Sequence, residues 1–348
     1  MKNIIIVIIL TIYSITTYSQ TIVAPSPIKW YTIQEYEQLN KKEVRPAFID
    51  VYTEWCGWCT KMMQTTFANP GIANYINNNF YPVRFDAETH DTIIYNGKKY
   101  INKSANKKST HDLAIELLKG QMSYPTIIYI DRKGNINPVP GYMKPTDLEP
   151  ILIFFAEDIN TNVNFDEFRK YFMYSFPKVY SEEIKTLTDA QKPDTLGKVN
   201  WISIEEASKL SVKNKKPLYI HFYTDWCQSC KVSDNTVFKN TLIAKELNEK
   251  YYPVRFNAAS QDTITIYDQK MNGNGIGNPH QLSYSLLKGG FKLPADVYIS
   301  DTKQMLNEMH GFLTPIQLES ILKYFSQGAY LKSTYQEFMK TFKNEILK

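Results

Sequence analysis

An eight-residue stretch that occurs twice constrains this chain more than any other feature: Tyr52-Thr53-Glu54-Trp55-Cys56-Gly57-Trp58-Cys59 returns as Tyr223-Thr224-Asp225-Trp226-Cys227-Gln228-Ser229-Cys230. The two Cys-x-x-Cys pairs use all four cysteines of the chain. Each pair follows an apolar, β-rich run (46–52 and 217–223) and precedes a segment that can be helical (61–64 and 231–233). A strand that delivers two thiols to the start of a helix is a redox arrangement. The free N–H groups and partial positive charge of the helix N-terminus favour a thiolate at the first cysteine. The two-residue spacing puts the second sulfur within reach, so the pair can close into a disulfide after attack.

The repeat extends well beyond the cysteines. Phe67 and Phe238 both lie eleven residues after the first cysteine of their motif, and Asn69 and Asn240 thirteen. Tyr81-Pro82-Val83-Arg84-Phe85 recurs as Tyr252-Pro253-Val254-Arg255-Phe256, and Asp91-Thr92-Ile93 as Asp262-Thr263-Ile264. After a slip of two residues, Leu117-Leu118-Lys119-Gly120 matches Leu286-Leu287-Lys288-Gly289, Pro125 matches Pro294, and Glu167-Phe168 matches Glu337-Phe338. One domain has been duplicated in tandem. The expected division is a first domain over 28–176, a polar linker over 177–198 containing Pro193 and Gly197, and a second domain over 199–345. Two copies are too few for a solenoid, so independent globular domains are expected.

A chain of 348 residues with 43% hydrophobic and 14% aromatic residues has enough apolar material for two packed cores. The net charge of +5 is spread among interspersed acids, and the densest basic run, 98–108, is short. It reads as a solvated loop, and nucleic-acid binding is not expected. At the N-terminus Lys2, the apolar run from Ile4 to Leu10 and the small polar stretch 16–20 read as an export signal over 1–20. The apolar run is shorter than the ~20 residues needed to span a bilayer, so cleavage is favoured over a retained anchor, leaving no stable membrane span. The expected location is periplasmic or otherwise extracytoplasmic, where structural disulfides persist. No cysteine lies outside the two motifs, so stapling the scaffold is not their purpose.

Each copy reads as mixed α/β. In the first, helices are expected over 32–40, 59–67, 70–80 and 146–155, with a short tail helix over 164–172. Strands are expected at 47–52, 81–85, 126–130 and 139–142, and Asn96-Gly97 signals a hairpin. Ser109 can cap a helix running to Lys119, with Gly120 at its end.

This order, with Trp-Cys-x-x-Cys after the first central strand and a lone proline opening a later one, resembles the thioredoxin superfamily, and it does so in both copies. The Leu-Leu-Lys-Gly helix end before Ser123-Tyr124-Pro125-Thr126 is most similar to exported thioredoxin-like proteins, which are in turn similar to the C-terminal domain of membrane thiol:disulfide interchange reductases. The fold implied is two tandem thioredoxin-like domains, each a central mixed β-sheet flanked by helices. The resemblance makes Cys56 and Cys227 the attacking cysteines and Cys59 and Cys230 the resolving ones. It makes Pro125 and Pro294 the cis-prolines that pair with substrate backbone. It makes Asp50 the buried carboxylate that exchanges a proton with the resolving thiol. The second copy departs from the pattern with His221 in that place, so the two pairs can differ in potential or rate. Gly57-Trp58 and Gln228-Ser229 also depart from the family's Gly-Pro and leave the redox direction open.

Other readings stand beside these. A zinc site would need its two cysteine pairs about 15 to 20 residues apart, whereas Cys227 follows Cys56 by 171. Asp50 on an alternating strand could instead face solvent, and His221 could be a core histidine bonded to a backbone carbonyl. His111 and His280 open the same helix in both copies, and a capping or packing role is expected. Arg84 and Arg255 stand where the family has a lysine near the buried acid; tuning that acid and snorkelling are both open. Trp55, Trp58 and Trp226 can form an apolar rim for peptides, although packing at the site edge is the expectation for Trp55 and Trp226. Tyr124, Trp55, Trp226, Pro125 and Pro294 are the candidate substrate contacts. The function expected is thiol–disulfide exchange on protein substrates, with reduction favoured over oxidation or isomerisation. A membrane thiol reductase is the expected electron donor, and no cofactor or metal is expected. The alternative is a binding or chaperone-like module without turnover; relay of electrons between the two pairs is a further possibility.

Overall fold

In the computed structural model, residues 27–188, 192–288 and 290–347 are described. The expected export signal lies outside them. Among the described residues no helix is long and apolar enough to cross a membrane.

The first copy runs α1 (Ile33–Lys42), β1 (Ala47–Tyr52), α2 (Gly57–Thr65), α3 (Pro70–Asn79), β2 (Tyr81–Asp86), a hairpin of β3 (Ile93–Tyr95) and β4 (Lys98–Tyr100), α4 (Asp112–Leu117), β5 (Thr126–Ile130), β6 (Ile136–Pro140), α5 (Pro145–Ala156) and α6 (Phe165–Ser175). A short α7 (Ser181–Lys185) follows. The second copy repeats the order as α8 (Ile204–Asn214), β7 (Leu218–Tyr223), α9 (Gln228–Asn235), α10 (Thr241–Lys250), β8 (Tyr252–Asn257), β9 (Ile264–Ile266), β10 (Gln269–Met271), α11 (Gln281–Leu286), β11 (Ala295–Ile299), β12 (Met305–His310), α12 (Pro315–Ser326) and α13 (Tyr335–Thr341). Each copy has a four-stranded mixed sheet, in the order β2-β1-β5-β6 and β8-β7-β11-β12. The first two strands of each order are parallel and the other pairings antiparallel. The tandem α/β architecture is as expected.

Strand alternation explains the layering. Phe48 on β1 packs with Phe67, Phe80 and Tyr129 on one side of the sheet, while Ile49 and Val51 belong to the core on the other. Helix starts follow side-chain capping: Thr32 and Glu35 form a reciprocal capping box at α1, and Asn69 accepts from the Gly71 and Ile72 amides with Pro70 at the first turn of α3.

Three expectations need correction. Helix α4 is capped by His111 rather than Ser109, whose hydroxyl is taken up by Asn102 Oδ1 and the Asn106 carbonyl. The strand expected at 139–142 is β6 over Ile136–Pro140; its prolines are tolerated because it is an edge strand. The copies are also not independent bodies. One apolar cluster runs through both, with Phe312 against Phe168 and Tyr171 at 5.5 and 5.9 Å. The Asn162 side chain donates to the His310 carbonyl at 2.8 Å, and Gln317 Nε2 donates back to the Asn162 carbonyl at 2.9 Å. Helix α6 lies against α9, so the tail of the first copy covers the cysteine-bearing helix of the second. The connecting stretch is tied to both sides: Tyr180 is buried with its hydroxyl on the Thr146 carbonyl, and the Gly197 amide donates to the Lys239 carbonyl. A Cβ on Gly197 would meet the Asn240 carbonyl oxygen at 2.6 Å, so the chain passes where only glycine fits.

Candidate active site

Both cysteine pairs are disulfides, Cys56–Cys59 and Cys227–Cys230, placed where a central strand turns into a helix. Cys56 is the N-cap of α2 and Cys227 the N-cap of α9. In each, the sulfur of the first cysteine accepts from the amide of the second, at 3.0 Å in the first copy and 3.2 Å in the second. That amide is one of the unpaired donors of the helix N-terminus, so the sulfur that would carry negative charge after reduction already faces it. The peptide bonds Tyr124–Pro125 and Leu293–Pro294 are both cis.

The first pair has an aromatic rim. Trp55 and Trp58 are 59% and 56% exposed, and Trp226 beside the second pair is 63% exposed. Trp55 and Trp226 thus stand at the edges of the two sites with much of their surface open. Trp55 is held edge-on to Tyr124 at 6.1 Å and donates from its indole nitrogen to Glu88 at 2.9 Å. Trp58 lies 5.4 Å from the ring of Tyr142, with the Lys61 ammonium 4.8 Å from the Trp58 ring.

Behind the first pair's strand, Asp50 is buried rather than solvent-facing. Burial pushes its carboxyl up to about 7, against the opposing pull of the Arg84 guanidinium, whose Nε lies 3.7 Å from Oδ2. Its Oδ1 has no hydrogen-bond partner. Burial favours the neutral form, and the neighbouring Arg84 restores only part of the charged form's stability. Arg84 thus touches the buried acid, whereas Arg255 does not have one to touch. It forms a two-pronged pair with Asp234 on α9 and stacks over Tyr223 at 3.3 Å.

The second copy carries its acid one strand away. His221 is buried, and its Nδ1 is hydrogen-bonded to the Asp296 carboxylate at 2.7 Å instead of to a backbone carbonyl. Tyr219 donates to the same Asp296 oxygen, also at 2.7 Å. His111 and His280 are the expected helix caps: their Nδ1 atoms accept from the Leu113 and Leu282 amides, and their Nε2 atoms meet the Asp91 and Asp262 carbonyls.

Two residues at the second site carry no local signal in the sequence. Glu157, the residue that ends α5 in the first copy, reaches over Cys227. Its carboxylate accepts from the Gln228 amide at 3.0 Å, the Ser229 amide at 2.8 Å and the Ser229 hydroxyl, and Oε2 lies 3.9 Å from Cys227 Sγ. Asp158 follows in the left-handed backbone region at φ 54° and pairs with Arg132 at 2.9 Å and Lys292 at 3.0 Å. The corresponding residues of the second copy are Gln327 and Gly328.

A family model described as "thioredoxin-like domain" matches the chain twice, over residues 33–156 and 204–326, together more than half of its length. Among curated proteins, the rat "Spermatogenesis-associated protein 20" is 38% identical over 71 residues, covering 20% of this chain and 9% of the relative. The chain therefore spans about a tenth of that relative's length. An uncharacterized protein of Archaeoglobus fulgidus is 26% identical over 88 residues, or 25% of this chain and 67% of the relative. Among solved structures, the reduced C-terminal domain of DsbD from Neisseria meningitidis is similar at 17% identity and a TM-score of 0.25, covering 35% of this chain and 91% of that one. A putative disulphide-isomerase from Bacteroides thetaiotaomicron is similar at 19% identity and a TM-score of 0.29, covering 41% and 98%. With two disulfide-bonded Cys-x-x-Cys pairs at matching strand-to-helix turns in both copies, the chain belongs to the thioredoxin-like domain family, in tandem duplicate.

Proposed function

We propose that the protein is an exported thiol–disulfide oxidoreductase that reduces disulfides of protein substrates, with Cys56–Cys59 as the pair that meets them. The observation that carries this reading is the Cys56–Cys59 disulfide itself: it sits at a helix N-terminus, between exposed tryptophans, just after the strand that carries the buried Asp50. The cycle begins with Cys56 as a thiolate. It attacks one sulfur of a substrate disulfide; a mixed disulfide forms, and the other substrate sulfur leaves as a thiolate that takes up a proton. Asp50 in its carboxylate form accepts the proton of the Cys59 thiol. Cys59 then attacks Cys56 Sγ, the Cys56–Cys59 disulfide closes, and the second substrate sulfur leaves. Two electrons have passed from the pair to the substrate. An external dithiol must return them, and a membrane thiol reductase outside the cytoplasm is the donor class that fits. Trp55, Trp58 and Tyr124 offer apolar surface to the peptide, and the backbone beside Pro125 pairs with it; Trp226 and Pro294 occupy the same places in the second copy.

What faces Cys227 across the boundary between the copies is Glu157 rather than a cysteine of the first pair. That arrangement favours separate duties for the two pairs over direct relay between them.

The test is reduction of a protein disulfide such as insulin, with dithiothreitol as terminal reductant. The protein is expected to accelerate reduction well above dithiothreitol alone, and Cys56→Ser to abolish the acceleration. A wild-type rate equal to that of dithiothreitol alone would refute the reading and leave a binding module without turnover.

A further inference from the structure

The two cysteine-bearing helices differ at the end that matters for thiolate chemistry. Among the described residues no carboxylate bonds the Gly57 and Trp58 amides at the start of α2. At the start of α9 the corresponding Gln228 and Ser229 amides are both taken by Glu157, and so is the Ser229 hydroxyl. The carboxylate is placed firmly. Tyr75 on α3 donates to its Oε1 at 3.3 Å, and the next residue, Asp158, is held by Arg132 of its own domain and Lys292 of the other. Lys292 immediately precedes the Leu293–Pro294 segment, so Glu157 and Asp158 together grip both chain segments that frame Cys227. Cys227 and Cys230 are each only 1% exposed, against 5% for Cys56 and Cys59.

A first cysteine becomes a good nucleophile because helix amides and the helix dipole stabilise its thiolate. In α9 a carboxylate from the other domain already uses those amides, and it lies 3.9 Å from the sulfur. Cys227 keeps the Cys230 amide, as Cys56 keeps that of Cys59, but a Cys227 thiolate would share the helix end with a carboxylate and meet a like charge. A dithiol whose attacking sulfur cannot ionise readily is less favoured against its disulfide.

We propose that Glu157 is a positioning residue for the second pair: the first domain's carboxylate occupies the anion-stabilising end of α9, which shifts Cys227–Cys230 toward its disulfide and makes Cys227 a poorer nucleophile than Cys56. This rests on the reading that both pairs undergo exchange. Opening the second pair takes two electrons and two protons from an external dithiol, which becomes a disulfide. The Cys227 proton then stays on sulfur, facing Glu157.

The test uses the full chain with Cys56→Ser and Cys59→Ser, so that only the second pair reports. It is equilibrated against reduced and oxidised dithiothreitol with Glu157 present and with Glu157→Gln. Glu157→Gln is expected to move the equilibrium toward the dithiol at least tenfold, equivalent to about 30 mV. A constant unchanged within twofold overturns the proposal. A second readout needs no turnover: with Cys230→Ser added, the pH midpoint for alkylation of Cys227 by iodoacetamide is expected to fall by at least one pH unit on Glu157→Gln. A midpoint that stays in place also overturns it, since a purely structural contact would leave it there. If Glu157→Gln does not fold, Glu157→Asp withdraws the carboxylate by one methylene and must shift both readouts in the same direction. A second pair that dithiothreitol cannot open in any variant refutes the exchange reading of that pair, and the proposal with it.

Discussion

His221 and Asp296 face each other across neighbouring strands of the second sheet, Nδ1 to Oδ1 2.7 Å, and both are buried. The same two positions in the first sheet hold Asp50 and Ile127. Each copy keeps one buried carboxylate on its two central strands, but on opposite strands of the pair. In the first copy the acid has an arginine at its edge and an unpartnered oxygen. In the second it is engaged by a histidine and a tyrosine. On the proposed reading the first acid exchanges a proton with Cys59, whereas both hydrogen bonds to Asp296 Oδ1 come from neighbouring core side chains.

The first prediction follows from Asp50. Burial pushes its carboxyl up to about 7, so a base proposed to accept the Cys59 proton grows in as pH rises through that value. Resolution of a mixed disulfide on Cys56 should accelerate as pH rises through about 7. Asp50→Asn should remove that inflection and slow the step ~100-fold at pH 8, as read by single-turnover release of substrate. The same shift bears on stability with a definite sign. A carboxyl raised from 3.8 to about 7 on folding costs nothing below pH 3.8, where both states are protonated. The cost grows as pH rises and is complete above about 7. Asp50→Asn should therefore stabilise the oxidised protein at pH 8, by up to about 4 kcal/mol, and leave it nearly unchanged at pH 4. Urea unfolding at the two pH values checks this.

The exchange of acid between strands gives a second prediction. Asp296→Ile alone leaves His221 and Tyr219 without their buried acceptor and should cost about 3 kcal/mol or more. Adding His221→Asp recreates the Asp–Ile pairing of the first copy. The double variant should be more stable than the sum of the single changes implies, by at least about 1 kcal/mol in a double-mutant cycle. Additive effects would show that the two positions are not coupled.

The exposed rim of the first site makes a third. Trp55→Ala and Trp58→Ala should raise KM for a protein disulfide several-fold while leaving the rate with a small disulfide, such as oxidised glutathione, within about twofold, because each tryptophan offers exposed ring surface to a peptide and little support to the core. Equal losses with both substrates would assign the rings a structural role.

The sequence made the fold legible because the same pattern is written twice. A Cys-x-x-Cys after an apolar run marks the strand-to-helix turn in both copies, and Pro125 and its match Pro294 mark the start of a later strand. Local chemistry was less legible where two partners compete. Ser109 has the composition of a helix cap, but nearer partners at Asn102 and Asn106 claim its hydroxyl, and His111 takes the place. Pro138 hid the start of an edge strand that begins at Ile136. His221 could be read as unusual, yet its partner became visible only when β7 and β11 paired and brought an acid from 75 residues away. Glu157 was out of reach for the same reason. It acts on a cysteine 70 residues later in the other copy, and nothing near it in the chain marks it. The second-copy residues Gln327 and Gly328 beside Glu157 and Asp158 are the only hint, a place where two repeats of one helix end differently.

The central claim is that Cys56–Cys59 works as a reductant, and its reduction potential tests this most directly. The measurement is made on the full chain with Cys227→Ser and Cys230→Ser, equilibrated against dithiothreitol and followed by free-thiol count. A value near about −270 mV is the predicted result, since it lets the pair pass electrons to most protein disulfides. A value near about −120 mV would mean that the dithiol is the favoured form and that the protein oxidises its substrates, contradicting the account.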